Sequence, residues 1–195
     1  MKNRSFDLIV YGATSFVGQI LTRYLFEHIG VGGKVNWAIA GRSEKKLSVL
    51  KSSLGSNADS LSVIVADASD EVALTTMCQS ARVIASTVGP YALYGEPLVK
   101  ACAENGTDYC DLCGEAYWIK AMILKYSDAA KASGARIVSC CGFDSIPSDL
   151  GVHFLQRQGK QRFGKYFDNI KLAVNTMKGG ASGGTLASMI EAVKA

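Results

Sequence analysis

The chain has 195 residues, 48% hydrophobic and 19% charged, with only 3 prolines. That composition excludes a disordered, collagen-like or low-complexity chain and describes a globular protein that can bury a core without disulfide staples. Its 21 basic and 17 acidic residues leave a charge of +4, too mild for a nucleic-acid-binding surface but compatible with a small phosphate-bearing ligand.

Apolar runs and helical patterns alternate from the start. A β-rich run at 6–11 ends at a glycine, and 16–26 carries Val17, Ile20, Leu21, Tyr24 and Leu25 at helical spacing. A second strand is expected at 35–40 and a polar helix at 44–54. A third strand at 61–66 ends at Asp67, followed by a helix over 70–79. Strands at 82–86, 107–112 and 136–139 alternate with helices at 95–105 and 115–133, which Gly106 and Gly134 close. Nearly all-apolar strands with short connections predict an α/β fold: a Rossmann-like, doubly wound parallel sheet covered on both faces. Ligands of such sheets bind outside the carboxyl ends of the strands.

The pattern changes near Gly151. A helix over 148–158 leads into a basic stretch at 157–165. Residues 169–176 alternate like a half-exposed strand, 178–184 are glycine-rich, and 185–195 form a helix with Leu186, Met189, Ile190 and Val193 on one face. Residues 1–150 thus read as a dinucleotide-binding domain. Residues 151–195 read as the opening of a truncated substrate or dimerisation domain, with a homodimer as one outcome of the apolar stripe. No stretch is long and apolar enough to span a membrane, and the short apolar run at 8–11 is no signal peptide, so a cytoplasmic location is expected.

The first strand-to-helix turn reads Gly12-Ala13-Thr14-Ser15-Phe16-Val17-Gly18. Gly12 permits a tight turn and Gly18 close helix–strand packing. The amides from Thr14 to Val17 point at a pyrophosphate from the positive end of a helix. The spacing departs from G-x-G-x-x-G, with Ser15 in the middle. At the end of the second strand, where an NAD site usually carries a carboxylate for the ribose 2′-hydroxyl, stand Arg42 and Ser43. A guanidinium there suits a 2′-phosphate, so NADP(H) is the expected cofactor. The alternative is a solvated basic turn.

Asp67 is placed to accept from the adenine amino group or to cap the next helix. Val88, Gly89, Pro90 and Tyr91 follow the fourth strand, beside the expected ribose and nicotinamide. Tyr91 either orients a substrate or packs. Asp144 and Ser145 follow the sixth strand and either serve substrate and protons or shape the turn. Tyr91 and Asp144 are therefore the candidate catalytic groups. The six cysteines include one C-x-x-C, Cys110 and Cys113, with no second chelating turn. They read as reduced, mostly buried thiols rather than a metal site.

Taken together, these stretches resemble the saccharopine dehydrogenase-like oxidoreductases, including trans-acting enoyl reductases. The matching residues are 10–18, 40–43, 89–91 with 94–97, Asp111 with Gly114 and Glu115, 142–151 and 182–185. The resemblance implies an N-terminal Rossmann domain binding NADP(H) and a following substrate domain. It also implies hydride transfer to a C=C or C=N substrate, including enoyl intermediates of lipids and polyketides. Members are typically about twice this long. A non-catalytic dinucleotide-binding or interaction module is the alternative.

Overall fold

A computed structural model describes residues 4–176, 178–180 and 183–194. Six parallel strands lie in the order β3-β2-β1-β4-β5-β6. They are β1 (Phe6–Tyr11), β2 (Trp37–Gly41), β3 (Ser62–Val65), β4 (Ala81–Ser86), β5 (Asp108–Asp111) and β6 (Ile137–Val138). The helices are α1 (Phe16–His28), α2 (Glu44–Ser52), α3 (Glu71–Ser80), α4 (Tyr91–Tyr94), α5 (Glu96–Asn105), α6 (Ala116–Ser133), α7 (Ile146–Phe163) and α8 (Gly183–Lys194).

Side chains alternate across a strand, and here both faces are apolar. Ile9 and Tyr11 of β1 and Ala38 and Ala40 of β2 join a core with α3, α5 and α6. Val10, Trp37 and Ile39 face the other way, onto Leu25 of α1 and Leu47 and Leu50 of α2. The chain winds outward from β1 to β3 and then crosses to β4 on β1's other side. A crevice therefore opens between the carboxyl ends of β1 and β4.

Helix starts follow local chemistry. Ser15, Ser43 and Asp70 each accept an amide of the first turn of α1, α2 and α3. Gly106 and Gly134 close α5 and α6 with left-handed backbone, as their positions suggested.

The structure differs from the sequence reading in four places. Residues 169–176 form no strand, although their alternation suited one. Leu172 and Val174 are exposed, and the sheet formed by the described residues does not include the segment. The short helix α4 arises where a loop was expected. β6 shrinks to two residues, because only Ile137 and Val138 pair with β5. α7 runs unbroken through residue 150 and leaves Leu150 and Phe154 exposed. Residues 1–3, 177, 181, 182 and 195, which include the basic start, part of the glycine-rich segment and the end of the last expected helix, lie outside the described residues.

Candidate active site

The carboxyl edge of the sheet gathers the expected residues in strand order. Asp67 follows β3, Arg42 follows β2, the glycine turn follows β1, and Val88 follows β4. Gly12 has φ +81°. A Cβ there would stand 2.6 Å from Val88 Cγ2 and 2.8 Å from Thr87 Oγ1. A Cβ on Gly18 would overlap the Gly12 carbonyl oxygen and stand 2.8 Å from Ala13 Cα. Gly12 is therefore demanded by its left-handed backbone and by the Val88 and Thr87 side chains, and Gly18 by close backbone approach.

Ser15 fills a different role from the one its position suggested. Its amide donates to Gly12 O at 2.9 Å, which consumes it within the turn. Its hydroxyl oxygen accepts from Gly18 N at 2.9 Å. Among the described residues, the amides of Thr14, Phe16 and Val17 take no protein acceptor. Phe16 and Val17 open α1, whose first-turn amides have no acceptor within the helix, and Thr14 lies in the turn before its cap, so three donors are left open at this turn. A cradle that rejects a Cβ, with open amides at a helix N-terminus, fits a diphosphate.

Arg42 is exposed beside this turn, and Ser43 caps α2 by accepting from Lys46 N at 3.4 Å. β2 and β3 pair Gly41 with Val65, and Ala66 N donates to Gly41 O at 3.0 Å. This register sets Arg42 near Asp67. Asp67 accepts from the hydroxyl and amide of Ser69, at 2.7 and 2.9 Å. Those bonds, helped by the Arg42 charge, hold its carboxyl below the usual range. The capping alternative for Asp67 is overturned, because Asp70 caps α3 through Ala73 N at 2.9 Å.

Tyr91 also requires correction. Its ring is 5% exposed and packs 5.6 Å from Trp118. Its hydroxyl donates to Ser86 O at 3.2 Å and accepts from Leu112 N at 3.4 Å. Burial pushes the phenol well above its ordinary value. It is a packing aromatic that pins the ends of β4 and β5, with no free face for a cofactor or substrate. Val88 is partly buried, Gly89 is exposed and Pro90 is buried, joined to Gly89 by a cis peptide. Asp144 is exposed after β6. β6 itself is three strands from β1, and the loop that carries Asp144 returns over the end of β5, where Cys141 N donates to Asp111 O at 2.7 Å.

Two buried carboxylates and one hydroxyl organise this edge without having been singled out as site residues. Asp111, at the end of β5, accepts from Tyr109 Oη (2.8 Å), Cys113 N (3.0 Å), Cys140 N (3.1 Å) and Ser139 Oγ (3.2 Å). Burial raises its carboxyl, and these bonds moderate the rise. Glu115 accepts from Tyr91 N at 2.9 Å and Ala92 N at 2.8 Å. Thr87 bridges β4 to the glycine turn. The sequence signal for the carboxylates was an acid at an apolar strand end and another four residues on. Their acceptor roles depend on loops distant in sequence.

All six cysteines are free. Burial pushes Cys110 up to about 11 and Cys113 up to about 12, so both remain thiols at neutral pH. A surface hollow lined by Asp7, Lys34, Arg82, Asp108 and Arg136 lies at the opposite edge of the sheet. Arg82 pairs there with Asp7 and Arg136 with Asp108. It plays no part in a carboxyl-edge site.

A trans-acting enoyl reductase from Mycobacterium bovis is 42% identical over 192 residues, which cover 98% of this chain and 45% of that protein. A lipid droplet localized protein from Caenorhabditis elegans is 47% identical over 156 residues, covering 78% of this chain and 36% of its own length. The chain thus spans less than half the length of these relatives. Apo saccharopine dehydrogenase (L-Glu forming) from Saccharomyces cerevisiae shares the fold, with a TM-score of 0.56 at 17% identity, over 79% of this chain and 32% of that one. The profile of the saccharopine dehydrogenase NADP binding domain matches residues 8–138. Because that match runs from β1 to the end of β6 and takes in every strand that builds the crevice, the chain belongs to the saccharopine dehydrogenase NADP-binding domain family, with NADP(H) as its cofactor.

Proposed function

We propose that the chain is the NADP(H)-binding portion of an oxidoreductase that delivers a hydride to a C=C or C=N carbon of a small-molecule or acyl-type substrate. One observation carries the reading. On neighbouring strands, a glycine-shaped turn with three open amides stands beside an arginine where a 2′-hydroxyl-binding carboxylate would otherwise be. The amides of Thr14, Phe16 and Val17 hold the diphosphate, and Arg42 and Ser43 the 2′-phosphate. Asp67 lies toward the adenine, and Val88, Gly89 and Pro90 toward the inner ribose. Bound NADPH supplies the hydride; the chain positions it and excludes water. The name of the mycobacterial relative favours an enoyl substrate, and that of the nematode relative favours lipid chemistry. In this reading, residues 1–150 bind the dinucleotide in the cytoplasm and 151–195 open the substrate or dimerisation domain. Asp144 remains the candidate proton donor.

A second reading, a non-catalytic dinucleotide-binding module, draws support from the exposed stripe of Leu186, Met189, Ile190 and Val193 on α8. Calorimetry with NADPH and NADH tests the first reading. Heat with NADPH is expected, and no heat with either nucleotide overturns it. In the full-length protein, NADPH consumption with an enoyl thioester is then expected; binding without turnover there, across a panel of such thioesters, favours the module.

A further inference from the structure

We infer that Glu115 is a positioning residue that sets the nicotinamide half of the cofactor site and couples it to α8. The inference rests on the dinucleotide reading above. The loop from Thr87 to Pro90 has no regular structure of its own, yet it lies against the phosphate turn. Thr87 Oγ1 donates to Gly12 O at 2.9 Å, and Val88 occupies the space a Gly12 side chain would need. What ends this loop is α4, a single turn whose first amides have no partner within it. Glu115, 4% exposed, satisfies them from 24 residues away, through Oε1 to Tyr91 N at 2.9 Å and Oε2 to Ala92 N at 2.8 Å.

Both carboxylate oxygens are used twice. Ser188 Oγ of α8 donates to Oε1 at 2.8 Å, and Tyr117 Oη lies 3.5 Å from Oε2. One buried carboxylate thus joins the β4–α4 loop, α6 and α8. Four donors converge on it, and only an acceptor at both oxygens satisfies them. Glutamine in its place would present an NH₂ group to one backbone amide. Aspartate, shorter by a methylene, would fall short of the α4 amides.

The test separates the two halves of the cofactor. In this reading NADPH reaches the β4–α4 loop, whereas 2′,5′-ADP carries only the adenosine with its 2′- and 5′-phosphates, which reach Arg42 and the glycine turn but lack the nicotinamide half. Titrate both into wild type, Glu115→Gln and Ser188→Ala, and follow hydrogen exchange at Tyr91 and Ala92. Glu115→Gln should weaken NADPH by about ten-fold or more, leave 2′,5′-ADP nearly unchanged, and speed exchange at both amides. Ser188→Ala should show the same selectivity to a lesser degree, and serves if Glu115→Gln does not fold. Equal loss for the two ligands, or no loss for either, overturns the positioning role while leaving the dinucleotide reading intact. Failure of wild type to bind either ligand overturns both.

Discussion

Thr87 donates its hydroxyl to the carbonyl oxygen of Gly12 at 2.9 Å. Its oxygen also lies 2.9 Å from Ser15 Oγ, which itself accepts from Gly18 N. With the Thr87 proton on Gly12 O, Ser15 O–H donates to Thr87 and a chain runs from Gly18 N–H through Ser15 and Thr87 to Gly12; Tyr11 O lies 3.2 Å from the same Thr87 oxygen. The strand β4 is thereby bonded to both ends of the phosphate turn. Thr87→Val keeps the shape and removes both hydroxyl links. A loss of about 1–2 kcal/mol in urea unfolding is expected, with weaker NADPH binding. Unchanged stability would mean that glycine packing alone holds the turn.

Cofactor choice should turn on Arg42. Because it is exposed and free to reorient, replacing it should leave the fold intact. Arg42→Asp should weaken NADPH by about ten-fold or more, through loss of a charge-assisted bidentate contact and gain of a repelling charge. NADH should change little. Calorimetry with both nucleotides checks this, and an equal loss for the two would remove the 2′-phosphate from Arg42.

Asp111 should give the protein an unusual acid response. Burial raises its folded pKa above the unfolded value of 3.8, so the native state keeps a proton that the unfolded chain has released. Its stabilising contribution is full below the unfolded value and is lost as pH rises through the raised native one. Asp67, Glu96 and Asp108 act oppositely. Hydrogen bonds from Ser69, Lys125 and Arg136, respectively, are the chief cause of their lowered values. Their contributions are present above the unfolded values and fade as pH falls through the native ones. Urea midpoints of wild type and Asp111→Asn, compared from about pH 4 to about pH 7, should diverge in slope just above the unfolded aspartate value. There the wild type gains stability on acidification relative to Asp111→Asn, since the oppositely acting carboxylates are common to both. Parallel curves would show that Asp111 titrates normally.

At the far edge of the sheet, Arg4 ties two helix ends together. Its guanidinium donates to Ala81 O at 2.7 Å, Thr107 Oγ1 at 2.6 Å, Asn105 O at 2.8 Å, Gly106 O at 3.1 Å and the carbonyl of Cys78. These acceptors lie at the negative ends of α3 and α5. Arg4→Met should cost about 2–4 kcal/mol, since several carbonyls lose their donor together. Arg4→Lys should recover only part, because an ammonium lacks the planar fork. Thermal unfolding of both variants checks the order. NADPH binding should survive, as the site lies at the opposite edge.

Amino-acid order alone determined the strand–helix alternation, the doubly wound class, the glycine turn and the arginine after β2. Those features rest on local periodicity, caps and turn chemistry, which neighbours within a few residues decide. Tertiary structure decided the rest. It buried Tyr91, moved the α3 cap from Asp67 to Asp70, and left 169–176 without a strand. It also made Thr87, Asp111 and Glu115 the links between loops. A strand needs a partner edge, and a buried carboxylate needs donors from distant segments. Neither can be read from a pattern in the segment itself, because the groups that satisfy it meet it only once the sheet has closed.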